Sequence, residues 1–211
     1  MEQLLSSLSL TTLLICITVG ISLYAWRNYQ VMDKLILNPY QVSKHQEYWR
    51  FLTSGFIHAD YGHLFFNMFA LYSFGEFMEV VFKEIGGLSG DLYFLLLYLG
   101  GIIVSDIPSY LKNKKDSRYN SLGASGGVSS IVFASILFAP TNKMLIYGII
   151  PIPAILFAVL YVWYSIYMSR RNMDNVNHSA HLYGGLWGVI CCTLIYPKVW
   201  NIFILQLINW Q

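Results

Sequence analysis

With 211 residues and a formal net charge of +2, the chain is sized for one domain (1–211), and its scattered positive charge excludes a nucleic-acid-tracking surface. Apolar residues make up 56% and charged residues 11%, which leaves no stretch for a soluble second domain and marks an integral membrane protein. A membrane helix needs roughly 20 mostly apolar residues, and six such segments are predicted. The first, 4–26, follows Met1 and Glu2 with no basic region before it and no clear cleavage site, so it is expected to be a retained anchor. Residues 27–62, rich in Tyr and Trp and too polar to span, are expected to form a long membrane-associated first loop in the headgroup zone.

The second and third spans are predicted at 63–82 and 92–111, the fourth at 121–138, after a short basic loop at 109–120. The fifth, 144–167, carries Pro151 and Pro153, which should break or kink its first half. A short polar connection at 169–177 leads to the sixth span at 178–196. The tail 199–210 is apolar but too short to cross, and is expected to be an interfacial or packed end. Cys16, Cys191 and Cys192 lie in apolar stretches without metal-type spacing, and read as small core residues. The expected class is therefore an all-α polytopic bundle.

Alternating crossings start the second, fourth and sixth spans on the same side. That puts His63 and Asn67, Ser125, and His181 at a shared shallow depth. Polar groups inside a membrane are costly and usually mark function. Ser125 sits in the run Gly123-Ala124-Ser125-Gly126, whose glycines permit a late helix start at the serine and leave free N–H groups beside it. His181 is the candidate base. Gly184 and Gly188 share its face, and such a small-residue stripe would let the sixth span pack closely on the fourth. No Asp or Glu lies one turn from His181, which indicates a Ser-His dyad and not a triad. His63 and Asn67, four residues apart on one face, could both donate to an oxyanion. Taken singly, each of these residues is as readily explained by helix packing. Their coincidence at one depth favours chemistry.

The chain resembles the rhomboid intramembrane serine proteases. The resemblance rests on Trp49-Arg50, Thr53, His58, the run His63-Leu64-Phe65-Phe66-Asn67, Glu79, Gly-Ala-Ser-Gly at 123–126, and Ala180-His181 with Gly184 and Gly188. It implies a six-span fold and peptide-bond hydrolysis within the membrane, with Ser125 as nucleophile and His181 as base, then acid. The oxyanion site would be His63, Asn67 and the Ser125 N–H, beside Gly123. Substrates would be single-span membrane proteins, cut without metal or cofactor in the lipid bilayer. Access would be gated by the fifth span and the 169–177 connection, and Arg50 and Glu79 would stabilise the fold. Some family members carry an aromatic residue one turn after the serine, beneath the histidine; here Ser129 stands there.

The family's usual orientation faces the site outward. Of the thirteen Lys and Arg, only Lys83, Lys143 and Lys198 would then lie in the inner loops, so the positive-inside rule points the opposite way. With no transit segment apparent, a multi-pass protein of the cell membrane is expected. Two other readings differ in chemistry. A proteolytically dead escort would usually lack the serine or histidine, and both are present. A metal site built from His58, His63, His178 and His181 lacks the spacing of a zinc-protease motif.

Overall fold

The computed structural model describes residues 9–146, 149–171 and 177–210. It is mostly helical. The predicted start of the first span at residue 4 and most of the 169–177 connection lie outside the described residues.

Helix α1 (Leu10–Arg27) begins where the Ser9 hydroxyl accepts the Thr12 N–H at 3.1 Å. Its first turn is closed by a residue far along the chain. The Glu79 carboxylate accepts the Leu10 N–H, the Thr11 N–H and the Thr11 hydroxyl, each at 3.0 Å. A carboxylate there satisfies orphan donors and complements the helix dipole. Lys83 holds it from one turn away at 2.8 Å. Glu79 therefore fastens α1 to α5 (Tyr61–Gly86), a structural part consistent with the one its motif position implies.

The stretch predicted as the first loop folds into α2 (Tyr29–Leu35), α3 (Pro39–His45), α4 (Arg50–Thr53) and a 3-10 turn at Ser54–Phe56. Asn28 and Asn38 cap the first two of these helices. Buried Arg50 ties the segment together, donating to the carbonyls of Asp33 (2.6 Å) and Ile36 (2.7 Å) and pairing with Glu47.

Helices α5 and α6 (Gly90–Asn113) have 26 and 24 residues and are joined by a 3-10 turn at Gly87–Ser89. Their lengths, roughly 36–39 Å, exceed the hydrocarbon thickness of about 30 Å. Among the described residues, Leu10–Arg27 and the continuous stretch Tyr61–Asn113 pass as membrane-crossing by length and composition. A further span is added if α9 (His178–Ile195) and α10 (Val199–Ile208), bent by 109° at their junction, are one unit. The short α10 does not extend α9: Val199 is buried, and Gln206 turns its side chain back to the Phe138 carbonyl at 2.7 Å.

Between them lies α7 (Ser125–Phe138), where every residue except Ser125 and Phe133 is buried. It packs between α6 and α9 on small residues. A Cβ at Gly184 or Gly188 would run into the α7 backbone at Gly126 and Ser130 respectively. A Cβ at Gly127 would lie 2.7 Å from the Tyr98 carbonyl of α6. Lipid tails give apolar helices little reason to associate, so close backbone contact and hydrogen bonding must hold such a seam. The Ser130 hydroxyl adds one, donating to the Leu97 carbonyl at 2.8 Å. The predicted approach of the sixth span to the fourth is therefore present.

The fifth predicted span is corrected. Its first half is an antiparallel hairpin, β1 (Lys143–Ile146) with β2 (Ile150–Pro153), in the register Lys143↔Pro153 to Ile146↔Ile150. The helix α8 starts only at Ala154 and runs to Arg171. Pro151 and Pro153 cannot donate to a helix ladder, yet each fits a two-stranded ribbon whose strands are both edges. Open edges are unsuited to hydrocarbon, so within this segment only α8 closes its backbone bonds on itself. The hairpin is also a departure from the expected all-helical chain.

Candidate active site

Ser125 is the first residue of α7. The preceding Ala124 makes no side-chain cap, so the first-turn N–H groups of α7 open beside the serine hydroxyl. The helix can start there because Gly123 has φ +118°, a conformation few side chains tolerate. The same glycine leaves room for His63. A Cβ on Gly123 would sit 2.6 Å from His63 Cε1 and 2.8 Å from Nε2. The serine loop thus lies close against the Cε1–Nε2 edge of the His63 ring, and the missing side chain at Gly123 is what permits it.

The loop before Ser125 is pinned by the 27–60 segment. Leu37 and Ser121 exchange backbone hydrogen bonds at 3.0 and 2.9 Å. The Gly123 N–H donates to the Ser54 carbonyl at 2.9 Å, while the Ser54 hydroxyl donates to buried Asp106 of α6 at 3.0 Å. The Ala124 N–H points at His58 Nε2, 3.3 Å away. That acceptor role fixes the tautomer: Nδ1 carries the proton toward Ser22 Oγ at 3.1 Å, and Ser22 donates to the Phe56 carbonyl at 3.1 Å. His58 is fully buried, and burial, reinforced by nearby His63, pushes its pKa down to about 3 against a smaller opposing pull from Asp60. Neutral at ordinary pH, it serves as a fixed acceptor that holds the serine loop.

His63 stands in the first turn of α5, whose N-cap Asp60 accepts the His63 N–H at 2.8 Å. Its ring is half-buried and meets the His58 ring edge-on, with centroids 4.9 Å apart. One turn later Asn67 is buried and spends one amide N–H on the His63 carbonyl at 2.9 Å. Among the described residues the second amide N–H has no further hydrogen-bond partner.

His181 lies in the first turn of α9 and is half-buried. The helix starts at a cap that also reaches the serine loop. Asn177 Oδ1 accepts the Ala180 N–H at 3.2 Å, and its Nδ2 donates to Ser109 at 2.8 Å and Ser121 at 3.3 Å. Three residues past His181, Gly184 rests on the backbone of Gly126, the residue after Ser125. The first turn of α7 therefore abuts the second turn of α9, one residue past the hydroxyl on one side and three past the imidazole on the other. The His181 ring stacks on Tyr161 of α8, with centroids 5.9 Å apart and planes 21° from parallel, and meets His178 edge-on. Sequence reasoning missed Tyr161, since nothing in its position sets it apart from Tyr164 and Tyr167 on the same helix. It missed the Asn177 bridge too, although an Asn just before an apolar helix is a recognisable cap signal.

Among the described residues, no group of three or more His, Cys, Asp or Glu side chains is arranged to hold a metal ion. What the arrangement assembles is a hydroxyl at an open helix start, an imidazole on the abutting helix, and two further polar side chains.

Comparison with known proteins identifies the family. Residues 45–198 match the family model described as the rhomboid domain. The chain is 29% identical over 144 residues to RHOMBOID-like protein 12, mitochondrial, of Arabidopsis thaliana, covering 63% of this chain and 42% of that protein. It is 31% identical over 152 residues to rhomboid protease GluP of Bacillus subtilis (strain 168), covering 72% and 27%. Presenilin-associated rhomboid-like protein A, mitochondrial, of Danio rerio is 32% identical over 159 residues, covering 71% and 38%. The chain thus spans less than half the length of each of these relatives, two of them mitochondrial and one bacterial. With the family model covering well over half of it, the chain belongs to the rhomboid family.

Proposed function

We propose that this protein is an intramembrane serine endopeptidase with a Ser125–His181 dyad, crossing the cell membrane six times and cutting single-span membrane proteins. The observation that carries the reading is the seating of Gly184 on Gly126, which brings the start of α7 against α9 one turn beyond His181. Helical side chains lean toward the N-terminus of their helix, so residues 125 and 181 project from that contact toward the same end. Helix length supports a site below the surface. With 14 residues, α7 is roughly 21 Å long. A helix that short, crossing a hydrocarbon layer of about 30 Å, would leave its N-terminal serine recessed within it.

In this mechanism Ser125 Oγ attacks the scissile carbonyl carbon while His181 takes its proton. The new C–O bond places a negative charge on the former carbonyl oxygen. The free N–H of Asn67, the His63 ring and the Ser125 backbone N–H would receive it, with Gly123 keeping space for His63. His181 then delivers the proton to the leaving amine as the C–N bond breaks, and water, activated by the same imidazole, hydrolyses the acyl-enzyme. No metal or cofactor takes part. A substrate helix must expose its backbone to be cut, so a single-span protein that unwinds near the membrane surface is the expected substrate class.

Purified protein incubated with a model single-span substrate tests the proposal. Ser125→Ala and His181→Ala should each abolish cleavage while remaining folded. Asn67→Ala should lower kcat by about 10²-fold, because other donors remain. Cleavage that persists in Ser125→Ala would end the proposed mechanism.

A further inference from the structure

Three of the four rings and hydroxyls around Tyr161 belong to helices that carry the site. Its ring stacks on His181 of α9 at 5.9 Å. Its hydroxyl lies 3.3 Å from Ser129 Oγ of α7, one turn beyond Ser125. It also contacts Phe133 of α7 (5.9 Å) and stacks on Phe157 of its own helix (5.5 Å). Tyr161 therefore touches both helices of the dyad at once. The flanking positions, Ala158 and Ser165, are among the few buried residues of α8, so Tyr161 lies on the stripe that faces the bundle. One turn on, Tyr164 meets His178 edge-on at 5.5 Å.

An imidazole rotates about a soft torsion with two broad wells, so its plane has to be set by what lies against it. From α7 nothing larger than a hydroxyl is offered at residue 129. The aromatic face comes from α8, and Ser129 anchors that face by its far end. We infer that Tyr161 is the positioning residue of the base, holding the His181 ring plane toward Ser125 through a stack braced on Ser129. This rests on the proteolytic reading above. It adds that correct seating of α8, by one tyrosine, is a condition for the dyad to work.

The test combines steady-state cleavage of a model single-span substrate with the rate at which a fluorophosphonate labels Ser125. Tyr161→Ala should lower kcat and the labelling rate by about 10- to 100-fold, the scale of a misaligned catalytic group, with KM changed less than about twofold. Tyr161→Phe keeps the ring and loses the Ser129 brace, and should recover all but about threefold. Adding Ser129→Phe to Tyr161→Ala supplies a ring from α7 to the vacated space and should restore most of kcat. If Tyr161→Ala lowers the unfolding temperature enough to obscure kinetics, Tyr161→Leu, which fills the space without a ring, is expected to show the same loss. Wild-type kcat in Tyr161→Ala or Tyr161→Leu, or an effect confined to KM, overturns the inference. Wild-type cleavage that survives Ser125→Ala would instead refute the dyad itself, leaving the two failures distinguishable.

Discussion

Helices α7 and α8 follow one another in the chain and are held in the molecule by opposite means. In α7 all but two residues are buried, and glycines and serines let the backbones of α6 and α9 approach it directly. In α8 only Ala154, Ala158 and Ser165 are buried, and large side chains such as Val159, Leu160 and Trp163 face outward. Backbone-to-backbone contact is short-ranged and unforgiving, whereas contacts made through the tips of aromatic side chains tolerate displacement. The difference teaches where each kind of task sits. The proposed nucleophile and base ride on the close-packed pair, and the adaptable helix supplies a ring to His181.

Substitutions at matched positions sharpen that contrast. Gly184→Val should be the most damaging, because its Cβ meets the Gly126 backbone, which cannot yield as a side-chain tip would. A loss of about 3 kcal/mol or more in unfolding free energy, with cleavage abolished, is expected. Val159→Ala, on the exposed face of α8, should stay within about 0.5 kcal/mol of wild type. Comparable destabilisation by the two would erase the contrast between the helices.

Gly123→Ala is next in size. It forces a side chain to φ +118° and thrusts a methyl into the His63 ring. About 1–3 kcal/mol of stability should be lost. Cleavage should fall further than that instability explains, since His63 must move; a variant with wild-type kcat would contradict the placement of His63.

The smallest expected effect is a pH dependence carried by His58. Its folded pKa, about 3, lies below its unfolded value of about 6.5, so the unfolded chain binds the extra proton. The contribution of His58 to stability is therefore fully present above about pH 6.5 and is lost as the pH falls toward 3. The slope is at most about 1.4 kcal/mol per pH unit. Unfolding midpoints of wild type and His58→Gln between pH 7 and pH 5 should converge as the solution is acidified; parallel curves would remove His58 from this role.

Much of the site is legible in the residue string because small residues have few uses inside a membrane. Gly123 and Gly126 around a serine indicated a helix beginning at Ser125, and Gly184 with Gly188 indicated close packing against α7; both are observed. The prolines at 151 and 153 marked a break, but not what replaces the helix. A short run of β-branched and apolar residues fits a buried helix and a strand equally well by pattern, and the hairpin emerges only from the pairing of 143–146 with 150–153. The subdivision of 27–60 into three helices was hidden for another reason. It depends on long-range bonds such as Arg50 to the carbonyls of Asp33 and Ile36, which no local pattern announces. Tyr161 was hidden likewise, since its importance comes from meeting residues 129 and 181 on other helices.

The most direct test of the account is the site and histidine dependence of covalent labelling. Purified protein treated with a fluorophosphonate, digested and sequenced by mass spectrometry should carry the adduct on Ser125, and His181→Ala should not be labelled. An adduct on another residue, or undiminished labelling of Ser125 without His181, would contradict a Ser125–His181 dyad.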